Sequence, residues 1–188
     1  MKLAFAIAVF CAFHSGYAKD IEVFLAPNAF RVIQLGCPSV PFHVVLMNTS
    51  NEDIKVWDDM YFWGYYNLSF EMRSSSGNEI IEIKKKERGW DKNLPLCDTV
   101  PPKEVKVFAV FLCEETWEGI PSHEWFTAND KNPFEIRAIY KSQSDTLPMN
   151  SDSGRVWKGT IESNWTKTYV KKTGVNQSAH TTPAIAPR

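Results

Sequence analysis

Apolar and polar residues alternate along the run 134–140, which reads Phe-Glu-Ile-Arg-Ala-Ile-Tyr. The apolar residues share one side of an extended chain: Phe134, Ile136, Ala138 and Tyr140. A period of two residues is typical of a half-buried β-strand. A polar loop follows, and then a second run over residues 154–163. Two such runs in sequence predict a hairpin that closes a β-sheet.

The same alternation recurs through the rest of the chain. Strands are predicted at 21–25 and 30–35 (one strand broken at 26–28), 42–48, 54–57, 67–73, 79–84 and 104–112. In the run 66–72 the expected inward residues are Tyr66, Leu68, Phe70 and Met72. No segment shows a sustained helical period. The pattern therefore predicts an all-β chain, an antiparallel β-sandwich of about seven to eight strands with Phe70 and Ile136 on its inner faces.

A set of short motifs gives the chain a resemblance to a known class of domain. In order they are Asn48-Thr-Ser, Trp63-Gly-Tyr-Tyr with Leu68-Ser-Phe-Glu, Pro101-Pro-Lys-Glu, Glu135-Ile-Arg-Ala, and Val156-Trp-Lys-Gly. Over residues 21–170 the chain resembles secreted immunoglobulin-like domains of environmental bacteria. It is less closely similar to the bacterial proteinase-inhibitor-type sandwich. These motifs are structural, so the resemblance implies an immunoglobulin-like fold and no catalytic residue. One departure is Val-Pro-Pro-Lys-Glu at 100–104, where such domains more often have a Pro-Gly turn.

The N-terminus has the three parts of a secretory signal peptide. Lys2 supplies the positive charge, residues 3–13 are apolar, and Gly16-Tyr-Ala18 offers small residues for cleavage after Ala18. The apolar run is too short to span a bilayer. We therefore predict a signal peptide at 1–18, one domain at 19–170 and a polar, disordered tail at 171–188. The mature protein is expected to be soluble and exported, to the periplasm or the extracellular space.

Charge excludes some classes of partner. The formal net charge is -1, with 21 basic and 22 acidic residues, and removal of Lys2 with the signal peptide makes it -2. A chain this close to neutral has no field to attract nucleic acid or an anionic membrane. The one basic run, residues 84–88, is interpreted as a solvated, charged edge strand or turn.

Three cysteines remain after cleavage: Cys37, Cys97 and Cys113. In an immunoglobulin-like sheet the strand from Phe42 lies antiparallel beside the strand ending at Leu112. Cys37 precedes the start of one and Cys113 follows the end of the other, so the two can approach within disulfide distance. Position 97 is expected opposite about position 107, too far from Cys113. We predict a Cys37–Cys113 disulfide with Cys97 unpaired. The alternative is three reduced, buried thiols.

The aromatic segment, residues 57–66, is the best candidate for a binding site. Six of its ten residues are aromatic, and two carboxylates lie among them. Rings can stack on sugars or mark a protein interface, and carboxylates accept sugar hydroxyls. The candidate binding residues are Trp57, Asp58, Asp59, Tyr61, Trp63 and Tyr65. The competing interpretation, which we favour, is that these rings fill the end of the sandwich and cover its core.

Other chemistry is weakly indicated. Asp58 and Asp59 lack the spaced pattern of a calcium loop, so no metal and no cofactor are predicted. His43 is expected on a surface, and the sequence has no nucleophile elbow, zinc-protease motif or nucleotide loop. Four glycosylation sequons are interpreted as chance matches, at Asn48, Asn67, Asn164 and Asn176. Asn67 is expected on the outward face of its strand.

Together these features favour an exported, non-enzymatic β-sandwich module that binds a protein or the cell envelope. One alternative is a carbohydrate-binding module that uses the aromatic segment on a polysaccharide. Another is a proteinase inhibitor, for which residues 114–132 are the connection long enough to enter a protease cleft. Oligomeric state stays open.

Overall fold

The computed structural model describes residues 20–27, 32–35, 40–74, 79–90, 94–122, 125–126, 133–142 and 156–172. The predicted signal peptide and residues 173–188 lie outside this part of the chain. The elements are β1 (Ile21–Ala26), β2 (Val32–Leu35), β3 (Phe42–Asn48), β4 (Ile54–Trp57), α1 (Phe62–Tyr65), β5 (Leu68–Ser74), β6 (Ile80–Lys85), β7 (Cys97–Val100), β8 (Val105–Val110), β9 (Trp117–Glu118), β10 (Phe134–Ser142), β11 (Gly159–Glu162) and β12 (Thr166–Lys172). No helix among them is both long and apolar enough to cross a membrane.

The strands form three sheets, and the all-β, mainly antiparallel prediction is confirmed. The first sheet has the order β1-β3-β8, and the second has the order β2-β12-β10-β5-β6-β9 with β11 also paired to β10. A two-stranded sheet joins β4 and β7. The β2–β12 pair is parallel, whereas the other ladders between these strands are antiparallel.

The two larger sheets pack face to face around one apolar core. Phe42 of β3 contacts Phe70 of β5 at 5.4 Å between ring centroids, and Phe108 of β8 lies 6.0 Å from Tyr140 of β10. Phe70 and Ile136 are both fully buried, as the alternation predicts. Because inward side chains come from every second residue of both sheets, the period-two runs account for most of this core.

The described part of the chain has more strands than the predicted seven to eight, because the predicted first strand is divided and because β7, β9 and β12 form where no strand was predicted. The first strand is broken as expected, and its two halves, β1 and β2, join different sheets. At the other end, β11 and β12 lie one after the other along β10, opposite residues 139–142 and 134–136. β12 ends at Lys172, two residues beyond the predicted end of the domain.

The register of β3 and β8 bears on which cysteines can form a disulfide. The two strands are antiparallel with Phe42 opposite Val110, which confirms the expected pairing of these strands. Cys113 is disulfide-bonded and Cys97 is a free thiol. The predicted partner, Cys37, lies outside the described residues, so the Cys37–Cys113 pairing stays a prediction. The expected position of Cys97 opposite about residue 107 is wrong, because β7 pairs with β4 and sets Cys97 opposite Trp57.

The outer face of the seven-stranded sheet carries paired charges. Arg73 lies opposite Glu135, and Arg137 lies opposite Glu71, so each ion pair joins directly facing residues of β5 and β10. The ring of Trp165 stacks on both guanidinium groups, 4.1 Å from Arg73 and 4.8 Å from Arg137. Facing opposite charges stabilise an antiparallel register, so this face holds β5 and β10 in alignment.

Two expectations for the start of β5 are wrong. Tyr66 was expected inward and is more than one third exposed, and Asn67 was expected outward and is buried. The cause is α1, a helical turn that ends at Tyr65 directly before them. The extended alternation begins at Leu68, so it does not reach back to residues 66 and 67.

Candidate binding site

The aromatic segment folds around a close contact at Gly64. Residues 62–65 form the helical turn α1, and Gly64 packs against the backbone of Asp58. A Cβ at position 64 would lie 2.2 Å from the Asp58 carbonyl oxygen, a distance that only glycine avoids. The segment therefore doubles back on itself, and its rings point in different directions.

The predicted site residues are divided between core and surface. Trp57 and Tyr65 are buried, while Tyr61, Trp63 and Asp58 are half-buried. Trp57 and Trp63 stack at 5.8 Å between ring centroids. Trp57 and Tyr65 thus offer little ring surface to solvent, and a binding role for the six residues stays a prediction.

The exposed rings of the segment are Phe62 and Tyr66, which were not among the candidate binding residues. Phe62 contacts Trp63, Tyr66 and Trp90, each in an edge-to-face arrangement. Rings at right angles to each other do not form the flat platform on which a sugar chain stacks. This geometry gives the carbohydrate hypothesis less support than the sequence did.

A cavity of about 140 Å³ lies between the aromatic segment and β8. Asp59, Tyr65 and Leu68 line one side, and residues 108–110 of β8 with the following Phe111 line another. The end of β6 contributes Lys85, and β9 contributes Trp117. Asp59 is the one candidate carboxylate that reaches this cavity.

Lys85 is the residue of this site that the sequence interpretation missed. The run 84–88 was expected to be solvated, but the Lys85 ammonium lies 4.2 Å from the ring centroid of Trp117 and 4.9 Å from that of Tyr65. Burial lowers its pKa to about 8, opposed by the charge of Asp59. A signal was present, because Ile81, Ile83 and Lys85 share one face of a period-two strand. Nor is β6 an edge strand there, since β9 pairs with Lys84 and Lys85.

The remaining sequence candidates have structural partners. Asp58 accepts a hydrogen bond from the Met60 amide at 2.8 Å, and Asp59 lies 3.8 Å from the Lys106 ammonium. The described residues contain no group of three or more potential metal ligands. Residues 114–132, suggested for protease inhibition, are only partly described, and Trp117 within them is buried in β9 rather than on a surface connection.

Two of the sequon asparagines are buried. Asn48 has no exposed surface, and its amide donates to the carbonyls of Glu52 and Val100. Asn67 is buried beside Tyr140, so the outward position that would suit a glycan is not realised. Both residues serve the packing of the fold.

The outer face of the β1-β3-β8 sheet is mainly apolar. Its rows, read across the three strands, are Glu22–Met47–Val105, Phe24–Val45–Val107 and Ala26–His43–Ala109. Phe24, Val105, Val107 and, just beyond β8, Phe111 are each 43–52% exposed. An antiparallel sheet with one face in the core normally turns polar residues to water. Here the outer face is mainly apolar as well, which is the usual property of a sheet that another molecule covers.

One end of this face is acidic. Asp20, Glu22 and Glu104 are exposed there, and backbone hydrogen bonds from Thr49 to Asp20 and from Asn48 to Glu104 hold the end together. The nearby Lys103 ammonium donates to the Thr49 carbonyl at 2.6 Å.

No protein-family model and no curated protein matches this chain.

Proposed function

We propose that the chain is an exported, non-enzymatic, immunoglobulin-like module that binds another protein through the outer face of the β1-β3-β8 sheet. The observation that carries this proposal is the row Phe24–Val45–Val107 with the exposed Val105 in the next row. Contiguous exposed apolar side chains on a β-sheet mark interaction sites.

The strand order supports the immunoglobulin-like part of the proposal. β1, β3 and β8 form one sheet, whereas β5, β10 and the β11–β12 pair of segments belong to the other. This distribution follows the division in which strands A, B and E lie opposite strands C, F and G. The resemblance to secreted bacterial domains of this type and the signal-like N-terminus support export.

The chemistry of the face favours a protein with an apolar surface and basic residues at one border. The exposed centre supplies no charge, and its end supplies the carboxylates of Asp20, Glu22 and Glu104. Lys and Arg of a partner would complement these carboxylates and set its orientation. An anionic membrane fits poorly, since acidic residues would repel it.

The proposal is tested with a photo-crosslinking amino acid placed at Val107 in the producing cell. The matched control carries it at Lys141, an exposed position of β10 on the other sheet. We expect a discrete adduct with another protein from position 107 and none from position 141. Peptide mapping of the adduct should place the linkage beside apolar residues, and the charge reversal E22K with E104K should reduce its yield several-fold.

Three results would contradict the proposal. Equal adducts from both positions would mean non-specific contact, and the absence of any adduct would mean that the face is unoccupied. An adduct with a second copy of the chain would mean that the face forms a homodimer and does not bind a different protein.

A further inference from the structure

The cavity beside β8 combines apolar walls with one cation. Leu68, Phe108, Val110 and Trp117 are buried side chains that line it. Asp59, Tyr65, Lys85 and Thr116 are the lining residues that carry polar side-chain groups. A volume of about 140 Å³ is close to that of engineered protein cavities of ~150 Å³ that hold one benzene molecule. The cavity therefore has room for a ligand of one small ring or a short alkyl chain.

Lys85 has no carboxylate partner of its own among the described residues. The neighbouring Lys84 pairs with Glu118 at 3.3 Å, and Asp59, which also lines the cavity, lies 3.8 Å from the Lys106 ammonium. The Lys85 ammonium contacts two aromatic rings instead. An aromatic ring stabilises a cation less than a neighbouring carboxylate does. The two rings therefore do not offset the effect of burial, which lowers the pKa of Lys85.

From this geometry we propose that the cavity binds a small apolar monocarboxylate, with its carboxylate on the Lys85 ammonium and its ring or alkyl chain against Leu68, Phe108 and Val110. A neutral hydrocarbon would leave the ammonium unpaired, and a ligand cation would be repelled by it. A dicarboxylate would place its second charge against apolar walls, where no described cation meets it. This inference does not depend on the protein partner proposed above.

The test titrates benzoate into the full-length mature protein at pH 7 by calorimetry, with benzamide as the neutral ligand of equal shape. We expect benzoate to bind at one site per chain and benzamide to bind at least tenfold more weakly. Benzamide binding as well as benzoate would overturn the proposal without any variant, and so would the absence of saturable benzoate binding.

Two variants assign the site. Lys85→Met should weaken benzoate at least tenfold, whereas Lys84→Met, which changes a more exposed lysine of the same strand, should leave its affinity within about twofold. Equal losses in the two variants, or no loss in Lys85→Met, would place benzoate elsewhere. Thermal unfolding of both variants checks that each is folded.

The pH dependence gives an independent readout. Carboxylates are ionised above about pH 5, so the affinity follows the protonation of Lys85. Burial lowers its pKa to about 8 in the free protein; the charge of Asp59 opposes this shift, and the charge of Arg88 adds to it. Tyr65, which also faces it, has a raised pKa because of burial and stays neutral in this range. Affinity should be nearly constant from pH 6 to 7 and fall above pH 8, by up to about tenfold per pH unit, until Lys85 of the complex also loses its proton. An affinity that is unchanged between pH 7 and pH 9.5 would contradict the role of Lys85.

Discussion

Asn48 connects three segments at one end of the molecule. Its side-chain amide donates to the Val100 carbonyl at 2.8 Å and to the Glu52 carbonyl at 2.7 Å. Its carboxamide oxygen accepts hydrogen bonds from the amide and the hydroxyl of Ser50, at 2.9 and 2.7 Å. A fully buried side chain with this many partners fixes the turn between β3 and β4 to the end of β7.

We expect Asn48→Ala to lower the free energy of unfolding by about 1–3 kcal/mol, because the substitution removes the buried hydrogen bond to the Val100 carbonyl. Chemical denaturation measures this loss. The control is Asn164→Ala, another sequon asparagine whose residue is exposed, and it should cost less than about 0.5 kcal/mol. Equal effects of the two substitutions would show that the Asn48 hydrogen bonds do not stabilise the fold.

At the scale of the element, α1 shows how a short turn positions a whole cluster of rings. Gly64 lets the helical turn lie directly on the backbone of Asp58 and Asp59. Tyr65 is then buried against Trp90, while Phe62 on the same turn remains exposed. The direction of each ring depends on this backbone contact rather than on the spacing of aromatic residues along the segment.

Gly64→Ala should destabilise the protein by about 1–3 kcal/mol, because the new Cβ meets backbone atoms that cannot move aside without shifting the segment. Helix propensity alone predicts the opposite sign, a gain of up to ~1 kcal/mol. Gly89→Ala is the matched control, since nothing lies within 4 Å of its Cβ position. A neutral or stabilising Gly64→Ala in urea denaturation would show that the contact is relieved at no cost.

At the scale of the whole molecule, the cysteines bear on how distant segments of the chain are linked. β3 and β8 are distant in sequence and adjacent in the first sheet. Cys113 follows β8 and is disulfide-bonded, and Cys97 in β7 is a free thiol. Burial raises the pKa of the Cys97 thiol to about 11, so very little of it is the reactive thiolate at neutral pH.

Non-reducing peptide mapping of the exported protein should yield a Cys37–Cys113 crosslink. A bond that closes a loop of roughly 75 residues would contribute about 4 kcal/mol in the chain-entropy model. Iodoacetamide at pH 8 should label Cys97 slowly in the native protein and fast after unfolding. A crosslink that contains Cys97, or alkylation of all three mature cysteines without reductant, would contradict the pairing.

The sequence alone determined where most of the longer strands lie and which of their side chains turn inward, although it did not predict β7, β9 or β12. Phe70 and Ile136 are buried because alternation places successive side chains on opposite faces, and this rule acts locally. It also located the break between β1 and β2, where Ala26-Pro-Asn28 interrupts the pattern. The pairing of β3 with β8 was predicted from the resemblance to immunoglobulin-like domains. That resemblance rests on short motifs of the sequence.

Only the tertiary structure decided what covers each face. Lys85 shares a face with Ile83, but its burial depends on Trp117 and Tyr65, which arrive from other parts of the chain. The outer face of the first sheet is open because no described element packs on Val107, although its strand alternates like any other. Such contacts join residues far apart in sequence, so a local pattern of apolar and polar positions carries no information about them.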